Sequence, residues 1–298
     1  MGAPRKLLAI IVVPVALALA AWLAWGHSPE ARRPAAASTP RVSTPGNASQ
    51  ARPLHASAAG TPAPINLFQQ FQALRKRAQA GDPVAQRQLG DVYDACMNVN
   101  PDPEAYIARN TGSPYSDGRI PEDLLETLAR ERVEDCSHVK GEAEFPWQDA
   151  GIWHEKATQG GDLAARIREL HVVHNNGPSL DAEQAQRLFE EVVASQDPAA
   201  VYAYGDEMDG RLTENLKEPW LSLVEGRNAN RAWRLAACRM GYDCGPQSMM
   251  YSNLCLHERA CAVGSFEEVL RSGFISDEER KQIDPQLEKV MQVLEGTR

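Results

Sequence analysis

From residue 66 onward, apolar positions recur at helical spacing. Leu67, Phe68, Phe71, Leu74 and Ala78 form one stripe, and Ala85, Leu89, Val92 and Cys96 form the next. Leu188, Phe189 and Val192 follow Asp181, and Trp220, Leu221, Trp233 and Leu235 continue the pattern. Asp-Pro occurs at 82–83, 102–103, 197–198 and 284–285. Each pair predicts a helix start, because Asp caps free N–H groups and Pro suits the first helical position. Ser265-x-x-Glu268 and Ser276-x-x-Glu279 have the form of capping boxes. No stretch alternates as a half-buried strand would. The least regular part, 98 to 119, reads as a long loop with one helical turn. The pattern predicts an all-α fold of short helical hairpins over residues 66–298.

The first 65 residues read differently. A short tail, residues 1–6, carries Arg5 and Lys6, and residues 7–25 contain no charge. Nineteen helical residues would span about 28 Å, close to a hydrocarbon core. Pro14 is tolerated in a membrane helix, and Trp22 and Trp25 stand where an interfacial belt would place them. The reading is a transmembrane anchor with a cytoplasmic tail and the remainder outside. The alternative is a signal peptide cleaved near Ala20, since Ala18-Leu19-Ala20 is a small-x-small site. Either way the remainder is exported. Residues 26–65 are rich in Pro, Ala, Ser and Thr without an apolar face, and read as a disordered linker.

Charge separates these segments further. Residues 1–65 hold six cations and one anion; the whole chain holds 31 and 40, so residues 66–298 hold 25 cations against 39 anions. An acidic folded region argues against nucleic acid as a partner.

Small residues in the helical region repeat. Ala78-x-x-Gly81-x-x-x-Ala85-x-x-x-Leu89-Gly90-x-x-Tyr93 resembles the Sel1-like repeat, a relative of the tetratricopeptide repeat. The segment around Asp197, Pro198, Ala200, Tyr204, Gly205 and Asp206 repeats that around Asp82, 115 residues earlier. Weaker copies lie at Gly161, Asp162 and Ala165, with Glu169 in an apolar place, and at Leu235-Ala236-Ala237 with Gly241. The resemblance implies an irregular, α-solenoid-like domain that binds other proteins.

Six cysteines in an exported chain favour disulfides over a metal or a free thiol. Cys238, Cys244, Cys255 and Cys261 are spaced more widely than zinc ligands, which prefer pairs separated by about two to four residues. A helix from about 229 to 240 ending at Gly241, then another from about 246 to 256, would put Cys244 and Cys255 about 14 Å apart. A disulfide needs Cα atoms within about 7 Å. The 244–261 pairing spans the same helix, and Cys238 and Cys255 face opposite ends of the hairpin. The expected pairs are therefore 238–244 and 255–261, which leaves Cys96 to pair with Cys136 across the irregular loop.

Catalytic patterns are incomplete. Ser137-x-x-Lys140 and Tyr251-Ser252-Asn253 resemble two elements of penicillin-binding enzymes, but Lys-Thr-Gly is missing. His171 and His174 share a helix face, yet His154-Glu155 does not extend to His-Glu-x-x-His because residue 158 is Thr. These histidines read as surface residues before a helix stop at Asn175-Asn176-Gly177. Gly-x-Ser-x-Gly, a P-loop and Gly-x-Gly-x-x-Gly are absent. Glu122, Asp123, Glu126, Glu131, Glu134 and Asp135, interleaved with Arg130 and Arg132, read as a solvated helix face. The expectation is a non-enzymatic protein-interaction module in the cell envelope. It is held to the inner membrane by its N-terminal helix with its folded domain in the periplasm. No catalytic residue, cofactor, metal or small-molecule ligand is predicted. The alternative is an envelope hydrolase acting on cell-wall polymer from a helical scaffold.

Overall fold

A computed structural model describes residues 69–111, 122–141, 143, 146–175, 178–208, 210–226, 228–258, 265–272 and 276–296. These residues form fourteen α-helices and no strand. The predicted anchor and linker, 7–25 and 26–65, lie outside the described residues. Within them, no helix is long and apolar enough to cross a membrane.

The chain reverses by one device used repeatedly. Helix α1, Phe71–Gln79, buries Phe71, Leu74 and Ala78. It stops at Gly81, whose φ of 91° costs least without a Cβ. Asp82 N–H then donates to the Arg77 carbonyl at 3.2 Å, and Gly81 N–H to that of Ala78 at 3.1 Å, satisfying carbonyls left free by the helix end. The Asp82 carboxylate accepts from Ala85 N–H at 3.1 Å and starts α2, Pro83–Cys96. Between α5, Pro146–Gln159, and α6, Leu163–Asn175, the turn recurs at Gly161 with φ 89°. Asp162 N–H reaches Ala157 at 2.9 Å, and its carboxylate caps α6 through Ala165 N–H at 2.8 Å. After α11, Ala229–Arg239, it recurs at Gly241 with φ 104°, and Tyr242 N–H reaches Ala237 at 2.9 Å. Between α7, Ala182–Ser195, and α8, Pro198–Glu207, Gln196 takes the left-handed position at φ 52°, and Asp197 caps α8.

The remaining helices are α3, Pro103–Thr111; α4, Glu122–Ser137; α9, Gly210–Thr213; α10, Leu221–Val224; α12, Met249–Glu258; α13, Phe266–Ser272; and α14, Asp277–Glu295. Four of them correct the sequence reading. The irregular stretch holds α3, two and a half turns capped by Asp102, whose carboxylate accepts from Ala105 N–H at 2.9 Å. Asp284-Pro285 does not start a helix. The Ser276–Glu279 capping box starts α14 eight residues earlier, and Pro285 lies inside it. Helix α12 begins at Met249, three residues after the expected 246, because Ser248 accepts from Tyr251 N–H at 3.1 Å and fixes the start there. Arg132 on α4 is not on a solvated face; it is 2% exposed.

Two helix pairs make the most extensive interfaces, α2 on α5 and α8 on α11. Each is centred on a glycine. A Cβ at Gly90 would stand 2.7 Å from the His154 ring, and one at Gly205 would stand 2.7 Å from Trp233 Cβ and 3.0 Å from Arg234 N. Both glycines precede an aspartate, Asp91 and Asp206. The second pair carries the aromatic core: Trp233 meets Tyr204 at 5.0 Å and Phe189 at 5.6 Å, edge to face, while Trp220 stacks on Phe189 at 5.1 Å.

Cys96 at the end of α2 is bonded to Cys136 on α4, and Cys238 on α11 to Cys244 beyond the Gly241 turn. Cys255 is also in a disulfide; its expected partner, Cys261, lies outside the described residues.

Candidate functional site

The residues singled out by the repeat pattern are structural. Ala78, Ala85 and Leu89 are buried in the α1–α2 hairpin, and Ala200 and Tyr204 in the matching place on α8. Gly81 and Asp197 form turns, and Gly90 and Gly205 form the helix crossings. Tyr93 is 2% exposed, meets Phe71 edge to face at 5.8 Å and donates to the Lys140 carbonyl at 3.3 Å.

The polar chemistry collects one step along α2 from Gly90. Asp91, Asp94 and Ala95 fall at i, i+3 and i+4 on α2 and share one face, which Asn98 continues in the turn just past the helix end. That face lines a groove of about 360 Å³ together with Met97, Arg168 of α6, and Met249, Met250 and Asn253 of α12. Three thioethers therefore border a cleft whose floor is charged.

Asp91, Asp94 and Arg168 of that lining belong to a clamped ion network that continues into the α2–α5 packing. Arg87 Nε donates to both oxygens of Asp162, at 3.0 and 3.1 Å, and Arg87 Nη1 lies 3.5 Å from Asp91. Arg168 binds the other Asp91 oxygen. His154 Nε2 lies 2.9 Å from Asp94 and 3.9 Å from Asp91. Arg87 and Asp162 are each 5% exposed, so removing either charge would strand the other in low dielectric. Burial alone would raise the Asp91 carboxyl. The Arg168, Arg87 and His154 charges outweigh it and hold Asp91 below the usual carboxylate range. Asp91 in turn pushes the Arg168 guanidinium up. Burial, reinforced by Asp91, raises the Tyr242 phenol to about 12. Asp91 thus stays ionised at neutral pH and fixes Arg168 at the groove wall.

The side chains that resembled parts of an enzyme are otherwise engaged. Arg132 reaches from α4 and donates to Ser252 Oγ, to Asn253 Oδ1 at 2.9 Å and to the Ala95 carbonyl at 3.5 Å. Ser252 and Asn253 thus hold a buried cation. Ser137 is exposed and donates to the Glu134 carbonyl at 2.6 Å. His171 Nδ1 pairs with Glu207 at 3.1 Å, and the His174 side chain lies outside the described residues. Among the described residues no three His, Cys, Asp or Glu side chains gather as metal ligands.

Sequence reasoning did not find Arg87, Asp91, Asp94, Arg168, Met97, Met249 and Met250 as a group. Gly-Asp at 90–91 and 205–206 was the local signal for part of it. The methionines arrive from segments about 150 residues apart, which no spacing rule joins. Comparison with protein-family models, with curated proteins and with solved structures finds no match.

Proposed function

We propose that this chain is a membrane-tethered, non-enzymatic interaction module whose Met-lined groove between α2, α6 and α12 holds a segment of a protein partner in the cell envelope. The observation that carries the reading is the pairing of a rigid ionic floor with a thioether rim. Methionine is unbranched and polarizable, so it adapts to varied apolar side chains. The fixed Arg168 and the half-exposed Asp94 supply orientation at the same place. The repeat-like hairpins, similar to Sel1-like units, support a scaffold role. A tether through residues 7–25 and a linker over 26–65 would raise the domain's effective concentration near partners in the same membrane.

His154 beside Asp94 favours a second reading, an envelope hydrolase with that imidazole–carboxylate pair as its acid–base group. One experiment separates the two. Photo-crosslinking residues are placed at Asn98 and Met249 in the groove and at Val172, an exposed apolar position on α6. Interaction predicts one shared protein adduct from 98 and 249 and none from 172. Identical adducts from all three positions, or cell-wall turnover abolished by His154→Ala, would contradict it.

A further inference from the structure

We infer that Cys238–Cys244 is a thiol–disulfide exchange site, open to an external dithiol, whose reduction releases the groove wall formed by α12. Its effect on binding rests on the groove reading above; the exchange site itself does not.

Two described disulfides differ in access. Cys96 and Cys136 are each 1% exposed, packed between α2 and α4, so no thiolate can approach along their S–S axis. Cys238 and Cys244 are only partly buried and flank a surface turn in which Arg239, Gly241 and Asp243 are exposed. The backbone bonds of this turn are local: Tyr242 N–H to Ala237, Gly245 N–H to the Asp243 carboxylate at 3.2 Å, and Ser248 N–H to Gly245 at 3.1 Å.

The turn is also connected to the site. Between the two cysteines, Tyr242 stacks on Tyr202 of α8 with centroids 4.3 Å apart and planes 12° apart. The Tyr202 hydroxyl donates to Met250 Sδ at 3.4 Å, and Arg234 lies 5.4 Å from the Tyr202 ring centroid. Ser248 then caps α12, which bears Met249, Met250 and Asn253. The disulfide, the Tyr242–Tyr202 stack and the groove wall are therefore consecutive in space.

In the exchange step an external thiolate attacks one of the two sulfurs. The protein S–S bond breaks, a mixed disulfide forms, and the released sulfur leaves as a thiolate and takes a proton. The second thiol of the dithiol resolves the mixed disulfide. Two electrons and two protons pass to the protein, giving Cys238 and Cys244 thiols and an oxidised dithiol. Cys244 is then no longer held to α11, and residues 242–248 can leave Tyr202.

The test treats the full chain with dithiothreitol under native conditions, followed by alkylation and peptide mass mapping, with hydrogen exchange in parallel. Cys238 and Cys244 should become alkylated at least about tenfold faster than Cys96 and Cys136. Exchange over 242–256 should rise while that over 83–96 stays unchanged. The double variant Cys238→Ser/Cys244→Ser should show the raised exchange without reductant. Equal rates at both bridges, or unchanged exchange over 242–256 in reduced protein and variant alike, would overturn the inference. Adducts absent from 98 and 249 in both redox states would instead remove the groove reading and leave the exchange result standing.

Discussion

The two glycine crossings use the same backbone and opposite side chains. At Gly90 the facing helix offers His154, and the next residue, Asp91, draws in Arg87, Arg168 and, through Arg87, Asp162. At Gly205 the facing helix offers Trp233, and Tyr202 and Tyr204 stand where Arg87 and Leu89 stand in the first. Asp206 pairs with Arg234 at 3.4 Å. The first crossing borders an open groove, and the second is sealed by Phe189, Trp220 and Trp233. The comparison separates what the backbone unit requires, a glycine and a cap, from what can be varied. One copy spends its side chains on an aromatic core and the other on a largely buried ion network.

The comparison can be broken most forcefully at the sealed crossing. Trp233 is 0% exposed, and its Nε1 donates to Leu223 O at 3.0 Å. Trp233→Ala should cost about 3–5 kcal/mol, measured by chemical unfolding, whereas His154→Ala should cost under about 1.5 kcal/mol. Similar losses at both would show that the first crossing is core as well.

Asp91→Ala tests the ionic floor. It leaves Arg168 without its closest carboxylate and should destabilise by about 3 kcal/mol. The pH dependence sharpens the point. Because the Asp91 pKa is lowered on folding, its contribution is present above the unfolded value of about 4 and is lost as pH falls through the lower folded value. Thermal melts from neutral pH down to strong acid should show this loss in the wild type and a shallower slope in Asp91→Asn.

The glycines should differ in degree. Gly205→Ala meets the backbone of Arg234 and should cost about 2–3 kcal/mol. Gly90→Ala meets a side chain, the one-quarter-exposed His154 ring, rather than backbone, and should cost about 1 kcal/mol.

How much of this was legible in the sequence depended on range. Caps are local, so Asp82, Asp197 and Ser276 mark helix starts that the structure contains. Asp284-Pro285 misled because a stronger start, a complete capping box, lay upstream in the same segment. The Cys238–Cys244 bond spans one turn, so helix geometry alone bears on it. Arg132 was misread because a cation among carboxylates looks solvated, and its acceptors, Ser252 and Asn253, lie some 120 residues away. The groove was invisible for the same reason: its walls meet only through tertiary packing of α2, α6 and α12.

On the proposed reading, the groove beside the first crossing holds a partner segment. That reading is tested most directly by Met97→Ala/Met249→Ala, reading the yield of the protein adduct from a photo-crosslinker at Asn98 alongside the melting temperature. Both methionines are partly exposed, so the fold should persist with a loss of no more than a few degrees. The account predicts an adduct yield reduced about tenfold. An undiminished yield from a folded variant would contradict it.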